Sequence, residues 1–114
     1  MRGGRLVFAE DLADCRLLAE PLLRRAGFTL STASDLDGCL RLLHSAPGAI
    51  SGFVLPRALG ELSAPQIAAA LRAEGFGGKV IVLDADRHEF AADHTVLPRA
   101  ADGGQLLHAL RQRR

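Results

Sequence analysis

The chain lacks tryptophan and tyrosine, and its only aromatic residues are five phenylalanines. A core of Leu, Ala, Val and Ile favours helices packed on a sheet over an aromatic-rich β-sandwich. Lys79 is the only lysine, so the 14 basic residues are almost all arginine, and the formal net charge is only +1. Such a balance predicts no large sequence-independent attraction to nucleic acid.

Long hydrophobic runs are also absent. No apolar stretch approaches the roughly 18 residues that a membrane-spanning helix needs, and the amino terminus has no signal-peptide pattern. We therefore expect a soluble, cytoplasmic protein with no membrane partner.

Two further scarcities concern reactive side chains. Cys15 and Cys39 are the only cysteines. They fit no metal-ligand spacing and fall on apolar faces of two predicted helices, so we expect free, buried thiols. No aspartate occurs between Asp37 and Asp84. Chemistry that needs an aspartate near the middle of the chain is therefore excluded.

What is present is an alternation of short strands and amphipathic helices over 114 residues, a length that suits one domain. Pro21 predicts a kink or a short break in the first helix. Residues 56–62 are predicted as a loop, and residues 84–93 leave room for one or two helical turns around Phe90. The predicted strands are residues 5–9, 28–31, 49–55, 79–83 and 95–97. The four predicted helices begin after residue 11, at Ser34 or Asp35, at Ser63 and at Asp102.

Strand–helix units repeated along a short chain predict an α/β fold, because right-handed crossovers place helices on both faces of a parallel sheet. We expect a flavodoxin-like (βα)5 doubly wound sheet with strand order 2-1-3-4-5. The short segment before the fifth strand predicts a shortened or missing fourth helix.

The stretch from Arg5 to Leu43 contains LVFAED at the end of strand one, a leucine-rich helix, and then AGFTLSTASDLDGCLRLL. This progression resembles the receiver domains of bacterial response regulators, and the resemblance in element order covers nearly the whole chain. It implies a single receiver-like domain over residues 1–114, in a two-component or phosphorelay system.

The resemblance also implies where reactive groups should lie. In receivers, two acidic residues after strand one help to hold Mg²⁺, and Glu10 and Asp11 match them. An aspartate at the end of strand three accepts the phosphoryl group. The register of that strand stays open here, so the acceptor position falls on Gly52, Val54 or Pro56, and none of these is an aspartate.

Two further receiver positions are also changed. A Thr or Ser follows strand four in receivers, and Asp84 is its best match here. A lysine precedes a proline after strand five in receivers, and Leu97 is the best match to it, before Pro98. The resemblance therefore implies a receiver that keeps the element order of the family but lacks its reactive residues. We call such a domain a pseudo-receiver.

Two hypotheses follow. The first is a non-enzymatic signalling module without aspartyl phosphorylation, whose partner is a histidine kinase, a phosphotransfer protein, a linked domain or a second copy of the chain. The second is a small flavodoxin-like divalent-metal or ligand-binding domain that uses Glu10, Asp11 and Asp84 at the carboxyl edge of the sheet. We favour the first and expect no cofactor. Mg²⁺ on those three carboxylates is the one exception.

Overall fold

A computed structural model describes residues 4–46, 48–84, 89–90 and 94–112. Five parallel strands lie side by side in the order β2-β1-β3-β6-β8, and β7 pairs antiparallel with β8 at the edge. The predicted flavodoxin-like strand order is therefore confirmed. The strands are β1 (Arg5–Ala9), β2 (Thr29–Ala33), β3 (Ile50–Pro56), β4 (Ala58–Leu59), β5 (Leu62–Ser63), β6 (Lys79–Leu83), β7 (Glu89–Phe90) and β8 (Thr95–Leu97).

Within the described residues, four α-helices cover this sheet, and a 3₁₀ turn at Glu10–Leu12 joins β1 to the first of them. Right-handed crossovers place α1 on one face and α2 and α3 on the other, and α4 packs beside α1. A Cβ atom added at Gly103 of α4 would lie 3.3 Å from the Cα atom of Ala19 in α1, so these two helices pack closely. The helices are α1 (Ala13–Arg25), α2 (Leu36–Ser45), α3 (Ala64–Ala73) and α4 (Gly103–Arg111).

The central strands are buried on both faces, as their continuous apolar runs predict. Phe8, Phe53 and Ile81, from β1, β3 and β6, are each 0% exposed and form the middle of the core.

Side-chain caps fix the starts of three helices where the sequence predicts them. The Asp35 carboxylate accepts the backbone N–H of the residue three positions later, at 2.8 Å. Ser63 and Gln66 form a capping box at the start of α3, with reciprocal bonds of 3.3 and 2.8 Å. Asp102 and Gln105 form a second box at the start of α4. Each cap satisfies backbone donors that the helix leaves unpaired.

The short break that was one of the two alternatives predicted at Pro21 is absent, and the predicted first residue of the second strand is wrong. Helix α1 continues through Pro21 without a break. Pro21 is exposed, so the hydrogen bond that it cannot donate is lost on the solvent side, where water can hydrate the freed carbonyl group. Strand β2 begins at Thr29 rather than Phe28, because Phe28 donates its N–H to the Leu23 carbonyl at 3.1 Å and so ends α1, with Gly27 in a left-handed conformation (φ 100°).

The predicted loop at residues 56–62 contains a hairpin instead. Strands β4 and β5 pair antiparallel through Ala58–Ser63 and Leu59–Leu62, and β3 runs to Pro56 rather than ending at Leu55. Gly60 turns the chain with φ 65°, a value that glycine adopts without strain. The buried Leu59 side chain fastens the hairpin to the core.

The segment between β6 and β8 also differs in type from the prediction. Phe90 lies in strand β7, opposite Thr95, rather than in a helical turn. Residues 85–88 and 91–93 lie outside the described residues. The described part of this segment contains no helix, which agrees with the predicted shortened or missing fourth helix.

Candidate functional site

The carboxyl ends of β3, β6 and β8 meet at one edge of the sheet, which we call the carboxyl edge. Pro56, the last residue of β3, lies opposite Leu83, the last residue of β6. The backbone N–H of Asp84 then donates to the Leu97 carbonyl at the end of β8, at 2.9 Å. The structure therefore brings Pro56, Asp84 and Leu97 to the edge where folds of this type bind ligands.

The pairing of β3 separates the three positions that the sequence left open. Gly52 lies opposite Lys79, at the start of β6 and far from the carboxyl edge. A Cβ atom there would lie 3.0 Å from the Cδ2 atom of Leu110, so this site is filled by the core. Val54 is 0% exposed in the middle of β3. Only Pro56 lies at the carboxyl edge.

Arg57 is the residue at this edge that sequence reasoning missed. It follows β3 directly, and its side chain is exposed. Its carbonyl oxygen accepts the backbone N–H of Ala64 at 2.8 Å, so the chain leaves β3, forms the β4–β5 hairpin and returns to the same point at the start of α3. A glycine between two short segments with apolar residues, Leu59-Gly60-Glu61-Leu62, was the signal for this hairpin.

The acidic groups of the edge differ in burial. Glu10 and Asp11 are exposed in the 3₁₀ turn after β1. Asp84 is only 6% exposed, and it is the only buried charged residue in the described part of the chain. No buried side-chain nitrogen or oxygen among the described residues lacks a hydrogen-bond partner.

These three carboxylates do not form a metal-binding group. Within residues 4–46, 48–84, 89–90 and 94–112, no three His, Cys, Asp or Glu side chains lie close enough together to hold a metal ion. The residues present at the carboxyl edge therefore do not fit a three-carboxylate magnesium or calcium centre.

Both cysteines are free and buried, as predicted. The Cys15 thiol contacts the Ala101 carbonyl at 3.8 Å. Burial raises its pKa, and the positive charge of Arg99 partly offsets this shift. Burial, with a smaller contribution from Asp35, raises the pKa of Cys39 to about 11. Neither thiol has the lowered pKa that a nucleophilic cysteine needs.

Helix α1 carries the large exposed hydrophobic side chains of the described residues. Leu17 is 60% exposed, Leu18 is 83% exposed and Leu22 is 37% exposed. Exposed Pro21 lies among them. No described helix has the length and apolar character needed to cross a membrane.

Comparison with solved structures identifies the architecture. The structure matches the receiver domain from the hybrid histidine kinase CckA with a TM-score of 0.74 and 23% identity, covering 96% of this chain and 97% of that chain. The fold is that of a receiver domain. No protein-family model and no curated protein matches the sequence.

Two other receiver structures support the same assignment of the fold. A receiver domain from Clostridium thermocellum matches with a TM-score of 0.72 and 17% identity, over 94% of this chain and 90% of that chain. The CheX–CheY–BeF₃–Mg complex from Borrelia burgdorferi matches with a TM-score of 0.74 and 12% identity, over 94% of this chain and 86% of that chain.

Proposed function

We propose that residues 1–114 form a single receiver-like module of a two-component or phosphorelay system, which signals through protein contacts without aspartyl phosphorylation. The observation that carries this proposal is the set of side chains at the carboxyl edge. Pro56 and Arg57 stand where β3 ends, Asp84 where β6 ends, and Leu97 at the end of β8.

Each of these side chains opposes phosphoryl chemistry for a physical reason. The side chain of proline has no nucleophilic atom, and the guanidinium of arginine is a hydrogen-bond donor without an acceptor atom that could take a phosphoryl group. A carboxylate at position 84 repels the negative charge of a phosphate, and Leu97 offers no cation to pair with that phosphate. A receiver pocket with these groups lacks the acceptor, the hydroxyl and the lysine together.

A module without this chemistry acts by what its surface binds. The exposed leucines of α1 are the clearest apolar surface on the described residues, and exposed apolar side chains that lie together mark protein interaction sites. The partners that fit a receiver fold are a histidine kinase, a phosphotransfer protein or a domain linked to this chain. In this proposal the module is not an enzyme.

The second hypothesis, a divalent-metal-binding domain, is not favoured. It needs Glu10, Asp11 and Asp84 to converge, and the described residues contain no group of three such side chains.

Amide ¹H–¹⁵N spectra test the proposal directly. We expect beryllofluoride, a mimic of the phosphoryl group, to cause no shifts beyond those of Mg²⁺ alone. Shifts that require beryllofluoride and spread to α4 would contradict the proposal. Shifts with Mg²⁺ alone at Glu10, Asp11 and Asp84 would support the metal hypothesis instead.

The Arg57→Asp variant is the matched comparison, because it places a carboxylate directly after β3 and changes no buried side chain. We expect the variant to gain Mg²⁺-dependent shifts at Glu10 and Asp11, which the wild type lacks. Such a gain would show that the wild type fails to bind Mg²⁺ because it lacks a carboxylate directly after β3, and not because the carboxyl edge is distorted.

A further inference from the structure

The outer face of α1 carries an ordered set of side chains. Cys15, Ala19 and Leu23 bury the inner face of the helix against the core. At 3.6 residues per turn, the opposite face has an acidic residue near its start, apolar residues in its middle and a basic residue at its end. This outer face consists of Asp14, Leu17, Leu18, Pro21 and Arg25, all exposed, together with Leu22, which is 37% exposed and lies at the border with α4.

The order of these side chains is self-complementary. Counted from a midpoint between Ala19 and Glu20, Asp14 and Arg25 are equally distant. The same holds for Leu17 with Leu22, and for Leu18 with Pro21. Two copies of α1 placed antiparallel about a two-fold axis at that midpoint therefore set each apolar residue against an apolar one, and each charge against its opposite.

We propose that this face binds a second copy of the chain through an antiparallel α1–α1′ pair. Asp14 of each copy then faces Arg25 of the other, and the leucines pack between these two ion pairs. The dimer uses the same α1 leucines that the proposed function offers to a protein partner, and it names a second copy of the chain as that partner. It does not depend on the lack of phosphoryl chemistry, because the face includes none of the carboxyl-edge side chains.

The ion pairs within α1 do not involve the charged residues at the two ends of its outer face. On α1, Glu20 pairs with Arg24 at 2.6 Å and with Arg16 at 3.4 Å. Asp14 and Arg25 take part in no ion pair within the described residues. A partner that is not a second copy would have no reason to require this internal symmetry, so the charge order favours a second copy.

One helix face is small for a protein interface, so the dimer is weak. Specific interfaces bury about 1,200–2,000 Å² in total, and contacts below this range are transient. We expect a dissociation constant in the micromolar to millimolar range that rises with salt, because exposed ion pairs are screened.

Charge-swap variants test the pairing. Sedimentation equilibrium at low salt should show Asp14→Arg and Arg25→Asp each weakening the dimer by roughly tenfold, because each change breaks two ion pairs and creates two repulsive ones. An equimolar mixture of the two variants should associate as tightly as the wild type, since all charges are again opposed across the axis. The double variant should also recover the wild-type affinity.

The controls separate pairing from folding. Asp37→Arg and Arg41→Asp make the same charge changes at exposed positions of α2, on the opposite face of the sheet, and should leave the dimer unchanged. Leu18→Asp should abolish the dimer while thermal unfolding shows an intact fold, because Leu18 is 83% exposed. A wild-type chain that stays monomeric at millimolar concentration overturns the proposal, and so does a mixture that associates no more tightly than either single variant.

Discussion

Alkaline pH should destabilise this protein through Cys39. The thiol is 0% exposed, and burial raises its pKa from 9.0 to about 11. Between these values the unfolded chain releases the proton while the folded chain keeps it. The unfolding free energy therefore falls as pH rises from about 9 to about 11, and it is unaffected by this group below pH 9.

The size of this loss of stability follows from the pKa shift of Cys39. Each pKa unit corresponds to 1.36 kcal/mol, so a shift of about two units contributes about 2–3 kcal/mol. Cys15 acts in the same direction, since burial also raises its pKa. The composition makes the effect unusually clear, because the chain has no tyrosine and a single lysine to titrate in this range.

The dependence of the unfolding free energy on pH can be measured by urea unfolding, followed by far-ultraviolet circular dichroism. The measurements are made at pH 8, 9, 10 and 11 with a reducing agent present. The wild type should lose about 2–3 kcal/mol or more of unfolding free energy between pH 9 and 11. The Cys39→Ala variant starts lower because it leaves a small cavity, but its loss should be smaller by about 2–3 kcal/mol. Equal losses in the two proteins would refute the assignment to Cys39.

Two further predictions concern the packing of the core at Gly52 and the start of α3. Gly52→Val should lower the unfolding free energy by about 1–3 kcal/mol, because even a Cβ atom there would lie 3.0 Å from Leu110 and 3.3 Å from the Lys79 carbonyl oxygen; an unchanged urea midpoint would show that the core has room. Ser63→Ala should cost about 1 kcal/mol by removing the side-chain acceptor of the Gln66 N–H at the start of α3, and a variant as stable as the wild type would mean that the cap contributes nothing.

The sequence predicted the elements whose signals are local. The apolar runs of β1, β6 and β8 have the same limits in the structure, and the caps at Ser63 and Asp102 begin their helices as expected. These features depend on hydrogen bonds and side-chain patterns within a few residues of one another, and such patterns can be recognised without knowledge of the fold.

The features that were missed depend on residues distant in the chain. Gly52, Val54 and Pro56 alternate along one strand, so only pairing with β1 and β6 shows that Pro56 reaches the carboxyl edge. The role of Arg57 at the edge appears only once β3 is known to end at Pro56. The β4–β5 hairpin was also missed, because its two-residue strands are too short for a clear periodic pattern.

The hydrogen bond from the Ala64 N–H to the Arg57 carbonyl has a mechanical consequence. It joins the first residue after β3 to the first residue of α3, while buried Leu59 fixes the turn between them to the core. A displacement of the Arg57 backbone must therefore either break this hydrogen bond or carry the start of α3 with it. We therefore expect a ligand or partner that displaces the Arg57 backbone to shift the amino end of α3 as well.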